Sequence, residues 1–359
     1  MLRSTHCFLV ACLIASCTYS AQAAVFCVSN ATELQDALDV AAINGEDDQI
    51  RLRPGVYRGT FRYSANVPNG DVFDIEIVGG YSALLNPCFQ PPSNDPSQTV
   101  LDAEGMGRVL FIRGNAGTEV TVRNVSLING DATADNDPRG GGVYILGGGR
   151  PGLDHVRFEN NLVRNNTASL GAGVYFEFVE FFEFTNNVVD INSATFSYAV
   201  SIANDRIGGH VINNTLINNS APAGNDGGLF LSFSDGAQGL VVNNILWANT
   251  GRHLSAGAAN DDELTVVQNT IGPQDLAYPD NLSIAPEFAG GRDDYGLVAS
   301  SPLIDVGARP QPFSPPIPFS EDWSLPEQDL VGKPRIIGVT VDIGAVETID
   351  QLFVDSFES

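Results

Sequence analysis

The chain holds one lysine, Lys333, four histidines, two tryptophans and five cysteines among 359 residues, and each scarcity excludes something. Its 18 basic residues face 43 acidic ones, a formal net charge of −25, and the arginines are scattered. A phosphate-binding surface needs clustered cations, so nucleic acid is excluded as a partner. No His or Cys cluster has zinc spacing, no glycine loop has phosphate-binding spacing, and no serine stands in a nucleophile elbow. No apolar stretch approaches the roughly 20 residues of a membrane-spanning helix, so no transmembrane span is expected. Helical periodicity is almost missing too. It shows only in ATELQDALDVAA at 31–42, where Leu34, Leu38 and Ala41 share a face opposite Thr32 and Asp36. A solenoid's terminal turn exposes apolar surface, and a short amphipathic helix of this kind reads as its cap.

The first residues read as an export signal. Arg3 supplies the positive end, FLVACLIA at 8–15 the short apolar run, and Ala21-Gln22-Ala23 the small-residue cleavage site, which sets residues 1–23 apart from the fold. IASC at 14–17 also resembles a lipobox, in which Cys17 would be acylated and become the mature N-terminus; the Ala-rich stretch favours cleavage at Ala23. Cys7, Cys12 and Cys17 lie in this segment and leave Cys27 and Cys88. In an oxidising compartment these two can form one disulfide, removing roughly 4 kcal/mol of unfolded-state entropy in the chain-entropy model; two unpaired thiols are the alternative. The acidity itself reads as solubility outside a cell.

What the sequence has in excess is strand-like runs bounded by Gly, Pro, Asn and Asp, from QIRLRPGVYRGTFRY at 49 onward. Among them an Asn is repeatedly followed by another five residues later: Asn124 and Asn129, Asn161 and Asn166, Asn187 and Asn192, Asn214 and Asn219, Asn244 and Asn249. In every pair but the first, another Asn precedes, and VVQNT around Asn269 is a degraded further copy. Successive first-Asn positions are 37, 26, 27, 30 and 25 residues apart. A second element alternates with these: GGGVYIL at 140–146, GAGVYFEF at 171–178, YAVSIA at 198–203 and GGLFLSF at 227–233. Period-two alternation puts Val143 and Ile145, then Val174, Phe176 and Phe178, then Val200 and Ile202, then Leu229 and Leu231 on one face. Tyr144, Tyr175, Ser201 and Phe230 point the other way.

A period near 26 with short strands and no helix predicts an all-β fold, a parallel β-helix wound by a single chain, right-handed by the preference of parallel crossovers. Asn at equivalent turns then stacks into a ladder bonded along the axis, so all ten paired Asn are read as structural. Spacing varies in the outward turns, where each doubling of loop length costs only about 0.6 kcal/mol. The longest, NGDATADNDPRGGG at 129–142, is expected to project. Residues 24–300 are read as the β-helix with its cap at 24–48, 301–347 as a closing segment, and 348–359 as a tail. QPFSPPIPF at 311–319 belongs to an irregular, Pro-rich wrap expected over the last coils.

IRLRPGVYRG at 50–59, GGGVYIL at 140–146, the Asn repeats, SPLIDVGA at 301–308 and DLVGKPRIIGVTVDIGAVE at 329–347 resemble the bacterial right-handed β-helix repeat proteins of the choice-of-anchor Q domain type, over nearly all of the mature chain. The resemblance implies a pectin-lyase-like fold and a secreted or surface-displayed protein whose C-terminal end is joined to varied sorting signals. VDSFES at 354–359 looks like a short terminal tag of that kind.

Polysaccharide lyases and hydrolases also use β-helices, so their acids and bases were sought. A lyase needs an Arg or Lys base beside carboxylates holding Ca²⁺; Asp131, Asp135 and Asp137 with Arg139 share one loop and are the candidate metal site, with an ordinary acidic loop as the plainer reading. No other cofactor is expected. An inverting glycosidase needs two carboxylates roughly 6.5–9.5 Å apart, from Asp190 and Asp154 or from Asp205 and Glu183, with His210 a candidate base or simply an outward strand residue. Arg157, Arg164 and Arg206 suit bidentate contacts to acidic sugars, although Arg157 and Arg206 have acids close in sequence to pair with. Tyr144, Tyr175 and Trp247 are candidates for an outward platform under sugar rings. The catalytic residues stay unassigned. The expectation is a monomeric binding or adhesive scaffold for extracellular polysaccharide or a cell-surface component; the alternative is a pectate-lyase-like polysaccharide lyase or glycoside hydrolase acting on acidic polysaccharide.

Overall fold

A computed structural model describes residues 23–65, 72–82, 88–149, 151–234, 236–257, 264–273, 278–290, 294–310 and 323–348, apart from the side chains of 204–206. The segment read as an export signal, with Cys7, Cys12 and Cys17, the Pro-rich run at 311–319, the VDSFES stretch and the side chains of Asp205 and Arg206 lie outside the described residues.

The chain winds into a parallel β-helix with three long sheets, beside which Thr167–Leu170 and Ser193–Ser197 form a small two-stranded one. The first takes Ala24–Val28, Asp48–Leu52, Ile75–Val78, Glu119–Arg123, Leu153–Glu159, the second halves of Val174–Thr185 and Val200–Ile212, Gln238–Val242 and Leu264–Val267. The second sheet has eight strands, one per coil, from Gly55–Arg58 to Thr270–Ile271. The third runs from Phe61–Ser64 through Leu110–Gly114, Val143–Gly147 and the first halves of the two long strands to Leu254–Gly257. Inward side chains of all three meet in one core. Phe158 stacks on Phe184 with ring centroids 5.6 Å apart, and Phe176 meets both edge-on.

The two long strands turn from the third sheet into the first without a loop. In Val174–Thr185 the corner is Phe178 at φ +57°, so Phe178 departs from the alternation that would make it a core residue and is half-buried, and Val179 resumes the inward series. The N-terminal helix spans Ala31–Ala41, capped by the Asn30 side chain on the Glu33 N–H, and buries Leu34, Ala37, Leu38 and Ala41 against the first coil. Cys27 and Cys88 are joined by a disulfide, with Cα atoms 5.8 Å apart.

Where the first sheet turns into the second, Asn161, Asn187, Asn214, Asn244, Asn269 and Asn281 stack coil upon coil. Each backbone N–H donates to the next Asn's Oδ1 at 2.8–3.0 Å, and each amide Nδ2 from Asn187 on also donates to an Asn Oδ1 or to a carbonyl of the preceding coil. Asn166, Asn192, Asn219 and Asn249 repeat the arrangement after the second sheet at 2.9–3.0 Å.

Asn124 and Asn129 are not rungs. In their coil the rung positions are Val125, whose N–H donates to Asn161 Oδ1 at 3.2 Å, and Gly130, whose N–H donates to Asn166 Oδ1 at 2.7 Å. Asn124 instead aligns with Asn160, Asn186, Asn213 and Asn243, all left-handed at φ 53–60°. Asn129 aligns with Asn165, Ile191, Asn218 and Ala248 at φ 54–57°. Asn tolerates this backbone region because its short amide bonds locally. Both members of the first pair are displaced by one residue, so the spacing of five survives and hides the shift.

Two further readings are corrected. The 129–142 loop does not project: Arg108 ties it down through the carbonyls of Asp137 (2.8 Å), Arg139 (2.6 Å) and Gly140 (2.9 Å), and Asp131 and Arg139 pair with Thr167 and Leu170 as an added layer. The closing segment is not confined to the last coils; from the coil of Asn243 it runs back along the outside of the second sheet. Its pegs are the left-handed Asn row. Asn243 brackets Ala308 through both N–H (2.7 Å) and carbonyl (2.9 Å), Asn213 Nδ2 donates to the carbonyls of Asp342 and Gly344, and Asn186 donates to Gln328 O at 2.7 Å and accepts from Arg335. Arg335 is buried and also donates to the carbonyls of Gly344 and Ala345 and to Glu347.

Candidate functional site

Outward side chains of the first sheet fall into rows because parallel strands in register repeat every 4.8 Å or so. One row is Gln49, Glu76, Thr121, Arg157, Glu183 and His210; the next is Arg51, Val78, Arg123, Glu159 and Thr185; a third brings Glu119, His155 and Phe181. Across the first five strands they line an open groove of about 560 Å³, floored by Gln49, Glu76, Thr121, Arg123, Arg157 and Glu159.

The polar groups in the groove are knitted into a ladder. Arg123 grips Glu76 Oε1 through Nε (3.0 Å) and Nη2 (2.8 Å), and Arg157 bridges Glu119 (2.8 Å) and Glu183 (3.1 Å). His155 Nε2 lies 3.2 Å from the same Glu183 oxygen. Phe181 stands between His155 and His210, with ring centroids 5.1 Å from each. The environments push the carboxyls apart: the His155 hydrogen bond holds Glu183 below the usual carboxylate range, whereas burial and the charge of Glu183 raise Glu159. Burial lowers His210, which is covered rather than presented. Sequence reasoning found Arg157, Glu183 and His210 but missed Glu76, Glu119, Arg123 and Glu159; their only signal was outward parity within runs such as EVTVR.

The other candidates do not converge. Asp131 Oδ1 accepts from Thr133 N and Oγ1, Asp135 faces Arg108 at 3.6 Å, and Asp137 pairs with Arg139, so each carboxylate of the proposed calcium loop holds its own turn. Among the described residues no group of three or more His, Cys, Asp or Glu is placed to hold a metal ion. Asp190 is buried beside the second sheet, bonded by Tyr295, and Asp154 is exposed at the start of a first-sheet strand, bonded to Gly117 N; they face different ways. Arg164 lies 3.4 Å from Asp190.

Tyr144 and Tyr175 do point outward from the third sheet, edge to face at 5.2 Å, but only 1% and 8% of their surface is exposed, and Arg108 and Arg139 lie over the rings. Glu177 accepts from both Tyr144 Oη (2.6 Å) and Arg139 (2.8 Å), and burial, seconded by the bond to Glu177, raises the Tyr144 phenol. They are a packed layer, not a platform. Trp247 belongs to the second sheet, on another face.

No family model matches the chain, and no curated protein sequence matches it. Among solved structures it is similar to pectate lyase Pel9A, with 12% identity and a TM-score of 0.31 over 91% of this chain and 97% of that one. At that score and identity the likeness bears on neither site nor substrate.

Proposed function

We propose that this is an exported β-helix protein that binds a neutral extracellular glycan along the groove outside its first sheet. The observation that carries the reading is the groove itself, where hydrogen-bonding side chains recur coil after coil at a spacing close to the length of one pyranose ring. Its ion pairs are partly exposed, Arg157 at 38% and Glu119 at 43%, and such pairs are worth only about 0–1 kcal/mol, so sugar hydroxyls can replace one partner at little cost. Groove acids Asp47, Asp74, Glu76, Glu119 and Glu159 outnumber Arg51, Arg123 and Arg157, and the chain is acidic throughout, which opposes a polyuronate. The Cys27–Cys88 disulfide supports an oxidising, extracellular setting, and the resemblance of the closing segment to choice-of-anchor Q domains supports surface display.

Titration of the purified protein with neutral oligosaccharides, polygalacturonate and alginate tests this. Binding of a neutral glycan that Arg123→Ala weakens by about tenfold, equivalent to 1.4 kcal/mol, is expected. Binding of the uronates alone, or a groove variant that binds like the wild type, refutes it.

A second reading rests on Glu159 and Glu183, diagonal neighbours on adjacent strands with oppositely displaced protonation, the division of labour that a glycosidase's acid and base require. Release of reducing ends from the bound glycan, abolished in Glu159→Gln with binding retained, would establish hydrolysis.

A further inference from the structure

A second cavity, of about 500 Å³, lies where the second sheet meets the stretch from Pro286 to Tyr295, ahead of the closing segment. Its floor is an outward column of that sheet, Asp190, Ile217 and Trp247, placed in register on successive coils. Its overhang comes from residues 286–290 and 294–298, ahead of the closing segment, held by Ala289 N–H to Gly296 O and Val298 N–H to Glu287 O, both 2.8 Å, which brings Phe288 and Tyr295 over the floor. Those two rings stand 6.3 Å apart at 85°, forming a corner opposite the half-exposed Trp247. Polar groups stand at one end of the floor and at the mouth. Asp190 is 1% exposed and fixed by Tyr295 Oη (3.0 Å) and Asn218 Nδ2 (3.3 Å), while the Asp294 carboxylate is exposed at the mouth, with one oxygen anchored by Gly296 N–H.

The backbone below the cavity is built against local preference. In the second left-handed row, Asn occupies positions 129, 165 and 218, but Ile191 (φ +56°) and Ala248 (φ +54°) stand at the other two, and both line this cavity. A β-branched residue in this region is a genuine outlier. Such strain is accepted where the side chain itself is wanted, and here it replaces an amide by apolar surface at the cavity floor.

We propose that this seam is a separate binding site for a single pyranose unit of a neutral sugar. Aromatic and aliphatic surface on the floor and overhang suits the apolar face of the ring, and carboxylate and amide groups at the end of the floor and at the mouth suit its hydroxyls. These carboxylates oppose an anion. The choice of a sugar rests on the glycan-binding reading above, but the site shares no residue with the groove, so the two stand or fall separately.

Saturation-transfer NMR and tryptophan emission, with neutral monosaccharides and methyl glycosides as probes, test the site. Saturation of a pyranoside with a shift in emission is expected, weakened about tenfold in Asp294→Ala and abolished in Trp247→Ala, with Trp247→Phe retaining the contact should the alanine variant misfold. Arg123→Ala, in the groove, leaves this binding unchanged. Ile191→Asn is expected to lower affinity while leaving the thermal midpoint equal or higher, which a purely structural residue would not do. No pyranoside effect, an effect indifferent to Trp247 and Asp294, or binding restricted to amines overturns the proposal.

Discussion

Replacing Asn214 by alanine is expected to cost about 2–6 kcal/mol of folding stability. Its carboxamide is fully buried and makes five contacts: it accepts from Asn187 N (2.8 Å) and Nδ2 (3.1 Å) and donates to Phe184 O (2.7 Å), Ile212 O (3.1 Å) and Asn244 Oδ1 (2.9 Å). Three of the five partners keep another bond, since Asn187 Nδ2 retains Phe158 O, Ile212 O retains Asn186 N, and Asn244 Oδ1 retains Asn214 N. The Asn187 N–H and the Phe184 carbonyl lose this partner inside the coil stack, at about 1–3 kcal/mol for each buried polar group left unpaired. Urea titration followed by far-ultraviolet circular dichroism measures the loss. Asn124 is the control, because it sits in the left-handed row. Asn124→Ala should cost only about 1–2 kcal/mol of backbone strain, and Asn124→Gly should recover most of it, whereas Asn214→Gly recovers nothing. Equal losses for Asn214→Ala and Asn124→Ala, or rescue of position 214 by glycine, would refute the assignment of rungs.

The closing segment makes stability pH-dependent. Asp329, Asp342 and Glu347 share Arg335 as their buried cation, and burial with the charge of Asp342 pushes Glu347 up to about 8. The folded state therefore keeps a proton that the unfolded chain releases near 4.5, so this stabilisation is complete below 4.5 and is lost as pH rises through 8, by at most about 1.4 kcal/mol per pH unit. Thermal midpoints of wild type and Glu347→Gln between pH 5 and 9 check it; an unchanged slope in the variant removes Glu347 as the cause. The double variant Cys27→Ser, Cys88→Ser should lose roughly 4 kcal/mol, read by urea titration of oxidised wild type beside it. A loss below about 1 kcal/mol would mean that the denatured chain is already constrained in that region.

The β-helix was legible in the Asn repeat because stacking imposes the same demand on every coil, and residues answering one demand recur at one period. The period does not say which of two adjacent Asn turns inward. Asn160 and Asn161 have the same side chain, and only the hydrogen bonds to neighbouring coils distinguish the left-handed position from the rung. Asn124 and Asn129 were therefore read one position out of register. The corner at Phe178 was hidden for a similar reason: apolar residues run through VYFEFVEFFEFT on both sides of the point where the backbone changes sheet.

Sequence alone determined the winding, the capping helix, the candidate pair Cys27 and Cys88 and the parity of outward strand residues. Tertiary structure decided what those outward residues meet. Tyr295 reaches Asp190 across 105 residues and Arg335 reaches Asn186 across 149, and no local periodicity encodes such a meeting. The groove is set by the stacking of whole coils and the seam cavity by the packing of Phe288 and Tyr295 over the second sheet, so both candidate sites appear only once distant residues are brought side by side.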